Sequence, residues 1–498
     1  MKKKFKNPFL INYSILFIFI FFSRFIAYQN LYENNLLEKK NFEFLDQNFL
    51  DILLFNNSVP NGHLILHKIL NYFDFYNLGI QFNFYLLNIF YSILFLYFLK
   101  NTLKNIFKDV YIFPMLLLVS VILIPYETWR PNHHDHINLF IFAYLFWSIN
   151  NILNNKIYTN HLIFSLILLN LFYSLGFIYT FFIISFLLII NKYKLYPINI
   201  NTLFKFILLF VFIFIIFLKN FISVSIFSST SMGGANLMQR SIHAIGENKF
   251  THIIESKNIN LPSWWLKLSK EIIKKNEIIE DVNVRVSKLA HGNFDKDIRK
   301  IFNIQKQLID SININDPKLI EIINKDIKNF ENKPWIYNFG YKQNLLSTKF
   351  QSYGSEIFLK SCAMYPYEMF IGKKGNKGFI LTAFQMLSYG GLFPTYYEKK
   401  KVYWNKAIIK ISNFFRIIII ILLCFTPYIF LKVLFSNNLN ANKLIYCLMV
   451  TFLIFATFIT SIITCCENPR MMTMYFFIII MISNYNIVFL LKKNKFLI

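Results

Sequence analysis

Ten apolar runs recur along the chain, at 10–28, 79–99, 110–125, 137–151, 161–175, 176–190, 203–221, 414–434, 444–463 and 471–491. A spanning helix needs about 20 predominantly apolar residues and satisfies every backbone polar group within itself. A chain with this many such runs has a bilayer as its natural solvent. Composition agrees: 55% of residues are hydrophobic and 16% charged, against roughly 25% charged in a soluble domain. A soluble enzyme is disfavoured on that ground, and 19% aromatic residues exclude a disordered chain. With 14 Gly and 13 Pro, collagen and low-complexity linkers are excluded too. The sequence reads as an all-α polytopic membrane protein of about ten transmembrane helices with an inserted, mainly helical extracytoplasmic domain. Several runs hold only about 15 apolar residues and are short for spans.

Charge sets the expected orientation. Met1-Lys2-Lys3-Lys4 precedes the first run, which continues through Arg24 without a small-residue cleavage site. An uncleaved first span is expected, starting from the cytoplasm. Alternate segments are then all basic: Lys100, Lys104 and Lys108; Lys156; Lys192 and Lys194; Lys443; Lys492, Lys493 and Lys495. That is the positive-inside pattern, with both termini cytoplasmic in a multi-pass inner (plasma) membrane protein. The net charge of +26 reflects a Lys-, Asn-, Ile- and Phe-rich composition of the kind AT-rich codons supply. Without an RNA or DNA signature it points to anionic headgroups and not to nucleic acid.

Three modules follow. Residues 1–222 form an N-terminal transmembrane module of about seven spans, with a first outer loop at 29–78. Residues 223–413 hold 16 of the 26 acids and read as a helical periplasmic or extracellular domain, with helix patterns at 264–290 and 295–330 and Pro262, Pro317, Pro334 and Pro366 as breaks. Residues 414–498 supply three more spans. Gly233-Gly234, at the start of the domain, lacks the Lys-Ser/Thr of a phosphate loop and reads as a flexible exit from the seventh span. Trp264-Trp265, Trp335 and Tyr396-Tyr397 read as core or interfacial aromatics, with sugar stacking as the alternative. Cys424 and Cys447 lie in apolar runs and read as small hydrophobes; no CxxC spacing suggests redox chemistry.

Ionisable side chains are scarce inside the spans. Arg24, Lys205, Lys219, Arg416 and Lys432 all fall near ends, where long side chains reach the interface. An ion-coupled transporter concentrates charge within its helices, so that class is disfavoured. The charges collect instead in three outer loops. The first carries Asp46, Asp51 and Pro60-Asn61-Gly62-His63. The second reads Glu127-x-x-Arg130-Pro131-Asn132-His133-His134-Asp135-His136, and the third Glu467-Asn468-Pro469-Arg470. Each has a plainer reading: Asp46 and Asp51 as helix caps or solvated carboxylates, Arg130 and Arg470 as interface anchors, Glu467 with Arg470 as a structural pair, and His63 with His67 as an interfacial pair one helical turn apart.

The arrangement resembles the GT-C superfamily of integral membrane glycosyltransferases, the mannosyltransferase and aminoarabinose-transferase kind. Three features carry the resemblance: an acid followed by Pro60 to His63 leading into an amphipathic surface helix, a second loop with Glu127 and Arg130, and a late Glu467–Arg470 turn similar to a Glu-x-Arg signature with one extra residue. It covers about 1–222 and 414–498; the domain at 223–413 matches no part of it. The resemblance implies transfer of a sugar from a polyprenyl-phosphate donor to a lipid or glycan acceptor at the outer face of a bacterial inner membrane. It makes Asp46, Asp51 and Glu127 the candidate catalytic carboxylates. Arg130, His133, His134, Glu467, Arg470 and His63 become candidate substrate contacts. No cofactor is required; the His133–His136 run leaves a divalent ion as an alternative. Two other readings stand beside it: an O-antigen ligase or polymerase, and a lipid-linked-sugar flippase without covalent chemistry.

Overall fold

A computed structural model describes residues 16–18, 20–22, 61–72, 80–104, 115–117, 119–120, 135–154, 158–192, 199–224, 227, 233–256, 261–262, six positions between 317 and 328, 345–373, 376–389, 414, 417–436, 440–463 and 475–493. These residues are mostly helical. The N-terminal module contributes α1 (Asn61–Tyr72), α2 (Ile80–Leu103), α3 (Asp135–Leu153), α4 (Thr159–Phe172), α5 (Gly176–Lys192) and α6 (Ile200–Val224). The middle of the chain contributes α7 (Gly233–Ile245), α8 (Glu247–Glu255), α9 (Leu345–Met364), α10 (Pro366–Phe370), a two-residue antiparallel hairpin of β1 (Gly372–Lys373) with β2 (Asn376–Lys377), and α11 (Phe379–Tyr389). The C-terminal module holds α12 (Thr426–Leu434), α13 (Ala441–Ile463) and α14 (Phe476–Lys493).

Four helical stretches are long and apolar enough to cross a membrane: Tyr85–Leu103, Ile200–Ile222, Ile417–Leu434 and Ala441–Ile462. Four of the remaining runs coincide with shorter apolar helices, Ile137–Leu153, Thr159–Phe172, Gly176–Lys192 and Phe476–Leu491. The runs 10–28 and 110–125 lie largely outside the described residues, as do the helix patterns at 264–290 and 295–330.

The spans divide by burial. In the windows Tyr85–Leu103 and Ala441–Ile462, 56% and 67% of residues are buried, so these helices lie inside the bundle. In Ile200–Ile222 and Ile417–Leu434 only 22% and 17% are. Phe204, Ile207, Val211 and Phe214 on α6 stand exposed, as do Ile417, Ile421 and Leu431 before and within α12. An apolar surface that extensive is untenable in water, and lipid chains are its fitting neighbour.

Around α3 the core closes. This helix packs against α2, α4, α13 and α14. Phe142 and Phe146 on α3 are fully buried against Phe452 of α13, with ring centroids 5.9 and 5.3 Å apart. Burying such a ring contributes roughly 1.5–3 kcal/mol in water. Between helices in lipid the gain comes from close packing instead. Hydroxyls inside these helices are satisfied by their own backbone: Ser92 donates to the Asn88 carbonyl, Ser148 to Tyr144 and Thr457 to Leu453. These three hydroxyls thus persist in apolar surroundings without an unmade bond.

Gly233-Gly234 opens a helix and not a loop. Gly234 of α7 lies against Gly354 of α9, where an added Cβ would stand 2.4 Å from the Gly234 carbonyl oxygen. The pair that reads as a flexible exit is a close backbone crossing that only glycine permits.

Candidate functional site

Most of the residues singled out by sequence fall outside the described part of the structure: Asp46, Asp51, Glu127, Arg130, His133, His134, Glu467 and Arg470. His63 lies on the backbone of α1, its side chain outside the description. The described elements do fix where the loops bearing these residues leave the bundle.

One loop enters α3 at Asp135, directly after His133 and His134. The stretch with Glu467 and Arg470 joins the end of α13 at Ile463 to the start of α14 at Phe476. These helices pack on one another, and their register is set by Tyr475. The Tyr475 hydroxyl lies 3.2 Å from Thr460 Oγ1, near the end of α13. Its ring sits 5.4 Å from the ring of Phe142 on α3. Phe142 is seven residues beyond Asp135, so the start of α3 projects about 10 Å past the level of Tyr475. The start of α3, the end of α13 and the start of α14 therefore lie at the same end of three mutually packed helices.

The turn between α4 and α5 joins them there. The Tyr173 and Tyr179 hydroxyls lie 3.2 and 2.6 Å from that of Tyr475. All three tyrosines are buried. Neutral hydroxyls can share protons in such a cluster without leaving a charge in an apolar interior. The cluster ties the α4–α5 hairpin to α13 and to the start of α14 and makes a floor at this end of the bundle.

The first turn of α1 lies on the same floor. Pro60 precedes α1, and Gly62 is buried against the end of α4, where a Cβ would stand 2.8 Å from the Leu171 carbonyl oxygen and from the Phe172 ring. Leu66 packs on the common core while Ile69 and Tyr72 stand exposed. This is the amphipathic helix expected after Pro60, and it carries His63 to the end of α4.

Asn138 lies one turn into α3, fully buried, and among the described residues neither its Oδ1 nor its Nδ2 has a hydrogen-bond partner. An unsatisfied buried amide costs about 1–3 kcal/mol. Its place in the first turn of α3, four and five residues after His134 and His133 in sequence, makes it a candidate ligand contact that sequence reading passed over. Asparagine is common in this chain, so its residue type alone carried no signal.

The middle segment has a polar cluster of its own. Arg240 of α7 is 2% exposed; its guanidinium donates to Thr382 Oγ1 at 2.6 Å and lies 5.4 Å from the Phe379 ring. Lys249 pairs with Glu368 and lies 4.8 Å from the Tyr365 ring. The Tyr365 hydroxyl is 2.8 Å from His252 Nδ1. These contacts join α7 and α8 to α10 and α11. Burial pushes the Cys362 thiol up from its usual range, and burial followed by the Glu356 carboxylate pushes up the Tyr353 hydroxyl. Among the described residues no group of three His, Cys, Asp or Glu side chains gathers to hold a metal.

No protein family, curated protein or solved structure matches the chain.

Proposed function

We propose that the protein is a membrane glycosyltransferase that moves a sugar from a polyprenyl-phosphate donor to a lipid or glycan acceptor at the outer face of the membrane. One observation carries the reading: the start of α1, the start of α3, the end of α13 and the start of α14 share one end of the bundle, and His63 lies on the first of these while Glu127, Arg130, His133, His134, Glu467 and Arg470 lie in the sequence that adjoins the others. The alternating basic loops support an outward orientation of that end.

In this reading Asp46 takes the proton of the acceptor hydroxyl. The oxygen attacks the anomeric carbon from the side opposite the phosphate, the glycosidic C–O bond to phosphate breaks, and configuration inverts. Charge builds on the departing polyprenyl phosphate. Arg130 and Arg470 offer planar donor forks suited to it, and fixed donors in a site shielded by lipid stabilise that charge strongly. Asp51 and Glu127 are the further carboxylates of the site. Glu467, His63, His133 and His134 contribute hydrogen bonds to sugar or phosphate. A lipid-linked donor suits a floor beside the bilayer, because its reacting atoms already lie at the headgroup level.

A ligase-type site would instead draw on Arg and His of the 223–413 domain. Within the described residues of that domain, Arg240 is buried on Thr382, which favours the first reading. The full-length protein, incubated with membrane lipid extracts, is expected to yield a glycosylated product by mass spectrometry. Asp46→Asn is expected to abolish it. Full transfer by Asp46→Asn would remove the mechanism, and export of an unaltered lipid-linked sugar would replace transfer by transport.

A further inference from the structure

Between α9 and α11 the exposed surface changes character. From Ser361 to Ile371 every exposed residue is apolar: Ala363, Met364, Pro366, Tyr367, Phe370 and Ile371. Across the hairpin, Ile380 and Leu381 at the start of α11 are exposed as well. Tyr367 is 61% exposed and Ile371 49%, so these are not grazing contacts. The elements form one surface, because α10 packs on α9, α11 and both strands, and the Phe370 and Phe379 rings meet at 5.5 Å.

The charge of the same segment is one-sided. Between residues 357 and 397 the sequence holds a single acid, Glu368, and that acid is paired with Lys249. Lys373 and Lys377 belong to the two strands of the hairpin, and Lys374 lies between them in sequence. Apolar side chains flanked by lysines, with tyrosines among them, suit the boundary between acyl chains and anionic headgroups. The surface is also continuous with the membrane-spanning part: α11 packs on α13, and Met386 of α11 is buried in the same core as the spans.

We infer that the α10–hairpin–α11 unit docks on an anionic bilayer surface, with Tyr367, Phe370, Ile371, Ile380 and Leu381 among the acyl-chain ends and the hairpin lysines at the phosphates. The middle domain is then anchored to the leaflet it overlies and not held away from it. This rests on the chain being a membrane protein and is independent of glycosyl transfer. A second copy of the chain is the other occupant such a face can have.

Hydroxyl-radical footprinting of the native full-length protein tests it, one copy per nanodisc of phosphatidylcholine and phosphatidylglycerol. His252, exposed on α8, is the reference. Relative to His252, Met364, Tyr367 and Phe370 are expected to oxidise severalfold more slowly than their exposure calls for. The triple variant Lys373→Glu, Lys374→Glu, Lys377→Glu is expected to lose most of that protection in the anionic disc. In a purely phosphatidylcholine disc, native protein and variant are expected to differ less. Oxidation of Tyr367 as fast as its exposure allows in the native protein would overturn the docking. So would protection that the triple variant leaves unchanged in the anionic disc, or protection that appears only with two copies per disc.

Discussion

The Tyr179 hydroxyl lies 2.6 Å from the Tyr475 hydroxyl, a bond that joins residues 296 apart in sequence. Tyr475 is the hub, since Tyr173 and Thr460 reach it too. Tyr475→Phe keeps the ring and removes the short bond to Tyr179 together with the bonds to Tyr173 and Thr460, at a cost of about 1–3 kcal/mol. Tyr173→Phe removes a longer bond at the edge of the cluster and is expected to cost less, nearer the roughly 0.6 kcal/mol average for hydrogen bonds between membrane helices. Thermal unfolding of the detergent-solubilised protein checks the order. Equal loss in the two variants would mean the cluster has no hub.

At the Gly234–Gly354 crossing a methyl group meets backbone, which has no rotamer to yield. Gly354→Ala is expected to destabilise by about 1–3 kcal/mol through overpacking, while Ser355→Ala in the same helix changes little. Size-exclusion profiles after a heating series read this directly. An unchanged profile for Gly354→Ala would show that α7 and α9 separate without loss.

Asn138 offers the opposite sign. Exchanging a buried amide that has no partner among the described residues for an apolar side chain of similar shape removes its desolvation cost. Asn138→Leu is expected to raise the unfolding temperature while lowering glycosyl transfer, the pattern of a residue kept for a ligand and not for the fold. A variant less stable than the native protein would show that the amide is satisfied.

Burial raises both the Cys362 thiol and the Tyr353 hydroxyl. A raised pKa means the folded state holds the proton more tightly than the unfolded chain does. The stability this contributes is complete below the unfolded pKa, about 8.5 for a thiol, and is lost as pH rises towards the folded value. Unfolding temperature is therefore expected to fall on the alkaline side, and Cys362→Ala to flatten the early part of that fall. Maleimide labelling of Cys362 is expected to be slow at neutral pH.

Much of the membrane architecture was legible because hydrophobic periodicity acts locally. The runs at 79–99, 137–151, 203–221 and 444–463 reappear as α2, α3, α6 and α13. Boundaries moved by a few residues; α2 continues past the end of its apolar run at 99 to Leu103. The run 414–434 is interrupted by a turn at Phe425, just before Thr426-Pro427, because proline cannot continue the preceding backbone ladder. The lysine hairpin, the tyrosine cluster and the glycine crossing were not legible. Each depends on partners brought together by packing, and single-residue patterns hold no trace of a hydroxyl partner 296 positions away. Of the candidate site, sequence named the loops, and the helix ends fix where those loops leave the bundle.

The loops with Asp46, Glu127 and Arg470 must meet on the outer side of the membrane for any of this chemistry to occur. Single cysteines at residues 46, 127 and 470, probed on intact cells with a membrane-impermeant maleimide, test that most directly, with Lys104→Cys and Lys443→Cys as the opposite face. Labelling at 46, 127 and 470 before permeabilisation, and at 104 and 443 only after it, is the expected result. Residue 46 labelled only after permeabilisation, with 127 or 470 labelled before it, would contradict a shared site.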